Sequence, residues 1–121
     1  MKVGIRTGSV VALLRAPDGV DFDLPPGITV KRRAVGSADV VVYLVTRAGD
    51  LEPRIDGLAG MVRPAGGLWI ARPKRSSGIA SDMSDHLVRD LALGRGLVDN
   101  KVCAVDATWT ALRIVWRLDH R

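Results

Sequence analysis

From Asp39 to Val45 the chain reads DVVVYLV, six apolar residues in a row behind one aspartate. A half-buried strand alternates apolar and polar residues, because successive side chains point to opposite faces. This run does not alternate, so it predicts a strand buried on both faces, as in a parallel sheet. The rest of the chain must then supply neighbouring strands and the crossovers that cover them. With 121 residues it has the length of one domain. Such a domain buries roughly two thirds of its unfolded surface, enough for a core without metal or disulfide. Hydrophobic residues are 47% and charged residues 26%, which excludes a disordered chain, a collagen and a coiled coil.

Short β-branched runs alternate with longer amphipathic stretches, the pattern of an α/β fold. The first strand is expected over Ser9–Arg15, followed by the turn Pro17-Asp18-Gly19. A half-exposed edge strand is expected over Ile28–Arg33, and the buried strand over Asp39–Val45. Leu51, Ile55, Leu58, Ala59 and Val62 then recur at helical spacing, with Asp50 as cap and Pro53 in the first turn. Arg63–Gly67 ends that helix, and Leu68–Arg72 is the fourth strand. A polar loop, Pro73–Ala80, leads to a helix from about Asp82 to Arg95, capped by Ser81 or Asp82. Its apolar stripe is Met83, Leu87, Leu91 and either Val88 or Ala92, and Gly94 and Gly96 stop it. Asp99–Val105 and Ala111–Leu118, joined at Asp106–Trp109, must form an antiparallel hairpin.

The expected architecture is a single Rossmann-like α/β domain spanning residues 1–121. It has about six strands, mostly parallel, with a C-terminal antiparallel hairpin and two main helices. Crossovers are right-handed, so both helices fall on one face if the sheet grows in one direction. The other face has only the Pro17–Gly27 connection and the residues before the first strand. Apolar surface there calls for a second subunit, most simply a homodimer. The chain should run outward from strand one to strand two, then return to place strand three beside strand one. Ligands bind at such a switch point, outside the strand carboxyl ends. The rim residues would be Ala16–Gly19, Thr46–Gly49 and Pro73–Gly78, with the hairpin turn beside the last.

Basic residues outnumber acidic ones by 18 to 13, a net charge of +5. Arginine supplies 14 of the 18, and aspartate 12 of the 13, a skew that reads as GC-rich coding bias. Spread along the chain, these charges read as a solvated face, so nucleic acid is not the expected partner. Lys31–Arg33 and Lys74–Arg75 are the local basic features. Cys103 is the lone cysteine, which rules out an internal disulfide. No run approaches eighteen apolar residues, and Lys2 and Arg6 are not followed by a signal-peptide core. A cytoplasmic protein with no membrane contact is expected.

RPAGGLWIARP, following a helix and an Asp-led apolar strand, resembles the later half of class I methyltransferases. The resemblance implies a Rossmann-like sheet. Those enzymes cradle S-adenosylmethionine with a Gly-x-Gly-x-Gly loop after the first strand, where this chain has Arg15-Ala16-Pro17-Asp18-Gly19. They bind the ribose with an acid ending the second strand, where this chain has Lys31-Arg32-Arg33. The cofactor is therefore not expected. A closer resemblance covers nearly the whole chain. GIRTGSVVALLRAP, SADVVVYLVTRAGDLE, GGLWIARPKRSSGIASDMSD and ALGRGLVDNKVCAVDATWTALRIVWR look like the bacterial family known as domain of unknown function 3052. Lys74–Asp82 and Gly96–Trp109 carry most of that likeness. Members of that family have a further segment ahead of the glycine-isoleucine start.

Lys74, Arg75, Ser76, Ser77 and Gly78 lie at a strand carboxyl end ahead of a helix. Two cations, two hydroxyls and free helix N–H groups suit a phosphate or carboxylate. The P-loop spacing is absent. Trp109 could stack on a planar ligand beside Lys74 with Asp106 orienting it; otherwise Asp106 caps the turn and Trp109 covers core. Cys103 reads as a small buried hydrophobe. His86 stands alone on a helix, His120 lies in the tail, and no spacing suggests a metal. Trp69 and Trp116 read as core or dimer surface. No nucleophile or acid–base pair is evident, so the expectation is a non-catalytic binding or regulatory module without cofactor. Its partner would be an anionic small ligand at Lys74–Gly78 or a protein. The alternatives are an enzyme acting there and a nucleic-acid binder.

Overall fold

The computed structural model describes residues 5–20 and 22–118; Lys2 and His120 lie outside them. Six strands form one mixed sheet: β1 (Val10–Leu14), β2 (Thr29–Lys31), β3 (Ala38–Leu44), β4 (Val62–Pro73), β5 (Leu97–Ala104) and β6 (Trp109–Trp116). Their order is β2-β1-β3-β4-β6-β5. The first four pair in parallel, and β6 runs antiparallel to both its neighbours. The closing strand therefore does not extend the edge. It inserts between β4 and β5, leaving β5 outermost.

The uninterrupted run is the buried centre of the sheet. Val41 and Val42 are fully buried, and Tyr43 and Leu44 nearly so. Asp39 opens β3 and fastens it. Its carboxylate accepts from Val10 N (2.8 Å) and from Arg63 Nη1 (2.8 Å). The Val10 N–H, and then Arg63, hold its pKa below the usual carboxylate value.

Among the described residues three α-helices are present: α1 (Ala48–Leu51), α2 (Ile55–Met61) and α3 (Asp85–Leu93). The single helix expected over Leu51–Val62 is broken, with turn residues at 52–54. Pro53 sits in that break rather than in a first turn, where its missing N–H costs no helical bond. Asp50 lies inside α1 and caps nothing; the Ala48 N–H is met instead by Asp82 Oδ1 (2.8 Å). The second helix begins three residues later than expected, because Ser84 is its cap, accepting from Leu87 N at 3.1 Å. Ser81 hydrogen-bonds the Thr46 carbonyl (2.7 Å), so it and Asp82 tie the loop back to the end of β3.

Strand β4 starts at Val62, directly after α2, not at Leu68. Its register slips between the pairs Ala38–Val62 and Val40–Gly67, so the intervening residues bulge. Gly66 makes this possible: a Cβ there would collide with the Asp39 carbonyl.

Side chains of α2 and α3 share one core cluster, so both lie on one face, with Leu51, Ile55, Ile70, Val88, Ala92 and Leu112 buried together. Both Val88 and Ala92 join the stripe. Each such side chain contributes roughly 1.5–3 kcal/mol by leaving water, the alanine less. The opposite face holds a second cluster that includes Val11, Val42, Trp69 and Ala111 with Ile5 and Phe22. Ile5, Ala16, Val20, Phe22, Leu24 and Ile28 supply its cover. Trp69 is fully buried there within one chain. Among the described residues no helix is long and apolar enough to cross a membrane.

Candidate functional site

The strand order places the switch point between β1 and β3. At their carboxyl ends lies a cleft of about 300 Å³. Arg15 and Pro17 line it just after β1, Leu44 to Thr46 at the end of β3, Asp50 from the segment after it, and Ile79 and Trp109 from the far side. A larger cleft of about 520 Å³ adjoins it, lined by Arg72 to Arg75 and Gly78 to Ser84. Ile79 lines both.

Of the predicted site residues, Lys74, Arg75 and Gly78 line the larger cleft and Trp109 the smaller, while Ser76, Ser77 and Asp106 line neither. Lys74 N donates to the Thr108 carbonyl (2.7 Å), and Pro73 pairs with Trp109 across the β4–β6 ladder. The hairpin turn thus lies against the base of the Lys74 loop. Their roles differ from one another. Asp106 Oδ1 accepts from Thr108 N and Trp109 N, both at 2.8 Å, which makes it the cap of its own turn. Trp109 is buried in the second cluster with one edge in the smaller cleft. The Ser77 hydroxyl donates to the Lys74 carbonyl (2.6 Å) and accepts from Ile79 N (3.2 Å). Gly78 takes φ +77°, the left-handed value that closes this turn. Ser76 is exposed.

One part of the expected anion cradle is missing. Residues 75–77 form a single 3₁₀ turn, and α3 starts only at Asp85. Its first turn is occupied by Ser84 and by Asp85, which pairs with Arg72 at 3.0 Å. The loop offers its two cations without helix N–H groups. Lys74 is half-buried and Arg75 exposed, and neither meets an acid among the described residues.

Among the described residues of these clefts no nucleophile and base are brought together. Cys103 is half-buried on the edge strand rather than enclosed, with Sγ 3.4 Å from the Ala104 carbonyl. His86 is exposed and lies 3.3 Å from Asp90. Among the described residues no group of three or more His, Cys, Asp or Glu could hold a metal ion. Trp116 packs partly buried against the helix-side cluster.

The sequence reading missed Arg15. Its φ of +58° is left-handed, which an arginine rarely adopts. That conformation aims Nη1 at Tyr43 Oη (3.4 Å), and Tyr43 Oη donates to the Asp50 carbonyl (3.3 Å). The bond to Tyr43 holds the guanidinium above its already high pKa. The available signal was an arginine directly after a strand and directly before Ala-Pro, where a tight departure from the sheet is needed.

No protein-family model matches the sequence, and no curated protein does. The fold does match solved structures. Magnesium protoporphyrin IX methyltransferase (ChlM) from Synechocystis PCC 6803, solved with bound SAM, aligns with TM-score 0.65 at 12% identity, covering 92% of this chain and 71% of that one. The fibrillarin pre-rRNA processing protein of Methanococcus jannaschii aligns with TM-score 0.61 at 13% identity, covering 96% and 70%. The mitomycin 7-O-methyltransferase MmcR aligns with TM-score 0.61 at 12% identity, covering 92% and 49%. At such identities the likeness shows a methyltransferase-like α/β fold and nothing of activity.

Proposed function

We propose that this chain is a non-catalytic binding module on a methyltransferase-like sheet, related to the family known as domain of unknown function 3052. It takes an anionic small ligand at the carboxyl rim, between the Lys74–Gly78 loop and Trp109. The observation that carries this reading is the convergence of Lys74 and Arg75, which pair with no acid among the described residues, with the buried Trp109 around adjoining clefts. A phosphate or carboxylate would meet the cations, and an apolar or flat part would lie along Ile79 and Trp109.

S-adenosylmethionine, bound in the ChlM structure, does not fit these residues. The glycine loop that would approach it is replaced by a single strained arginine turned onto Tyr43. The second strand ends in Lys31 and is followed by Arg32 and Arg33, where an acid would hold the ribose. A cofactor with a sulfonium cation is poorly served by that charge. Lys31 is itself engaged by the carbonyls of Val35 (3.4 Å) and Ser37 (3.0 Å), which leaves less of that segment for a nucleic-acid phosphate.

A thermal-shift panel tests the proposal. Nucleotides, acyl-CoA, sugar phosphates, S-adenosylmethionine and a DNA duplex are run against wild type and Lys74→Ala. A ligand at 100 times its Kd stabilises by about 2.7 kcal/mol, which is several degrees for this length. An anion that shifts wild type and not Lys74→Ala supports the site. Equal shifts in both proteins from every anion of the panel would overturn it, and S-adenosylmethionine as the sole hit would overturn the degenerate-scaffold reading.

A further inference from the structure

We infer that the chain carries a second, separate anion site on the helix-bearing side of the sheet, walled by Arg15, Arg32 and Arg54, that takes a phosphate monoester of a flat apolar group. It does not rest on the Lys74 reading: Arg15 borders both the smaller rim cleft and this one, but Lys74, Arg75 and Trp109 line no part of this one.

The site is a cleft of about 630 Å³, within the range that holds a small organic ligand. It exists because of an omission in the topology. The helices covering this face come from the β3–β4 and β4–β5 connections. The β2–β3 connection, residues 32–37, carries no helix. Nothing helical therefore covers this face above β2, and Leu14, Tyr43, Leu58 and Met61 become the floor and inner wall of a cleft.

Its chemistry is one-sided. Three guanidinium groups from three separate segments line it, and none of its lining residues is acidic. Arg32 and Arg54 have no hydrogen-bond or ion-pair partner among the described residues. Asp56 on the same helix is already paired with Arg95, at 2.9 Å. Asp50 is close enough to act on Arg15; at Arg32 and Arg54 the positive field stays open to an anion. Guanidinium groups favour the oxygens of phosphate because they present several donors in a fixed plane.

Two further features point to a ligand rather than a solvated face. Arg15 holds a left-handed backbone, costing on the order of 1 kcal/mol, and so brings its guanidinium to a buried tyrosine at the cleft wall. Gly57 sits inside the seven-residue helix α2, where glycine is unfavourable. Its φ is not left-handed, and a Cβ there would meet nothing within 4 Å. Packing does not demand a glycine at that position. Its effect is to leave the cleft open beside Arg54.

Titrating the full chain with 1-naphthyl phosphate, followed by calorimetry, tests this. Inorganic phosphate and 1-naphthol serve as the two half-ligands, adenosine monophosphate as a second whole ligand, and a short DNA duplex as the macromolecular alternative. Naphthyl phosphate should bind about tenfold or more tighter than either half. Arg32→Ala and Arg54→Ala should each weaken it about tenfold, the loss of one charged hydrogen bond. Gly57→Leu should abolish binding while the urea unfolding curve stays cooperative, and Lys74→Ala should change nothing. The inference is overturned if naphthyl phosphate and the nucleotide both bind more weakly than about 1 mM. It is also overturned if 1-naphthol binds as well as its phosphate, if Arg54→Ala and Gly57→Leu both bind as wild type does, or if only the duplex binds. Loss with Lys74→Ala alone would assign the ligand to the rim site instead.

Discussion

Ile70 and Trp69 are neighbours in β4, and both are buried, but their sides of the sheet are covered by different means. Ile70 belongs to a cluster with Ile55 of α2 and Val88 of α3. Trp69 belongs to one with Ile5 and Phe22, which lie before β1 and between β1 and β2. A helix satisfies its own backbone as it covers a face; an irregular segment must find each partner separately. Residues 17–27 lessen that demand with Pro17, Pro25 and Pro26, which have no N–H, and with the bond from Gly8 N to the Gly27 carbonyl at 2.8 Å. The prolines also narrow the unfolded ensemble. A loop can thus seal an apolar face, but it covers little area beyond its own path.

The largest expected effect tests whether the loop-covered side is a full core. Trp69→Ala should destabilise by about 3–5 kcal/mol, as much as or more than Ile55→Ala at about 2–5, in urea unfolding. A loss under about 1 kcal/mol would show that residues 5–28 do not hold that face closed. Trp69→Phe should cost far less than Trp69→Ala, because Trp69 Nε1 is buried without a partner among the described residues and phenylalanine removes that donor.

Next comes the cover itself. Phe22→Ala should cost about 3 kcal/mol, the low end for a buried aromatic, since a loop can collapse into the space. Amide exchange should then quicken in β1 and β2 while α3 keeps its protection. Uniform quickening would mean that the two faces open as one unit.

The same contrast explains what could be read from the residues. DVVVYLV announced a doubly buried strand because burial on both faces leaves a local signature. The switch point followed from the order of short runs and the handedness of crossovers. Closure of the second face was not legible, since Ile5, Phe22 and Trp69 are far apart in sequence and carry no shared period. The place of β6 was equally hidden: a four-residue turn dictates a hairpin with β5 but not which side of β5 it takes. At the rim, Lys74 and Trp109 were drawn together correctly by topology. The Ser77 hydroxyl and the helix N–H groups were misjudged, because Ser84 rather than Ser81 caps α3. The Arg15–Arg32–Arg54 cleft depends on a helix that is not there, and a missing element has no residues to read.

Two smaller effects compare how each side is fastened. Ser84→Ala removes the α3 cap and should cost about 1 kcal/mol. Asp39→Ala removes the tie from β3 to Val10 and Arg63 and should also cost about 1 kcal/mol, limited by the partial exposure of that carboxylate. They differ in pH dependence. The folded pKa of Asp39 lies below its unfolded value, so its contribution is complete above about pH 4 and fades as pH falls through the folded pKa. Wild type minus Asp39→Ala should therefore shrink in acid, whereas wild type minus Ser84→Ala should not follow that titration. Parallel acid behaviour would assign the tie to packing rather than charge.

The smallest effect runs in the opposite direction. Gly57→Ala should stabilise the protein by about 0.5–1 kcal/mol, because alanine loses less backbone entropy in a helix and its methyl enters open space. That is a rise of a few degrees in Tm. A helix only seven residues long, with a second glycine at Gly60, has little intrinsic stability and is held by Ile55, Leu58 and Met61 against the sheet. A gain from Gly57→Ala would place α2 at the limit of what packing alone can hold on the helix side. A loss would mean that the position is constrained by something the methyl displaces.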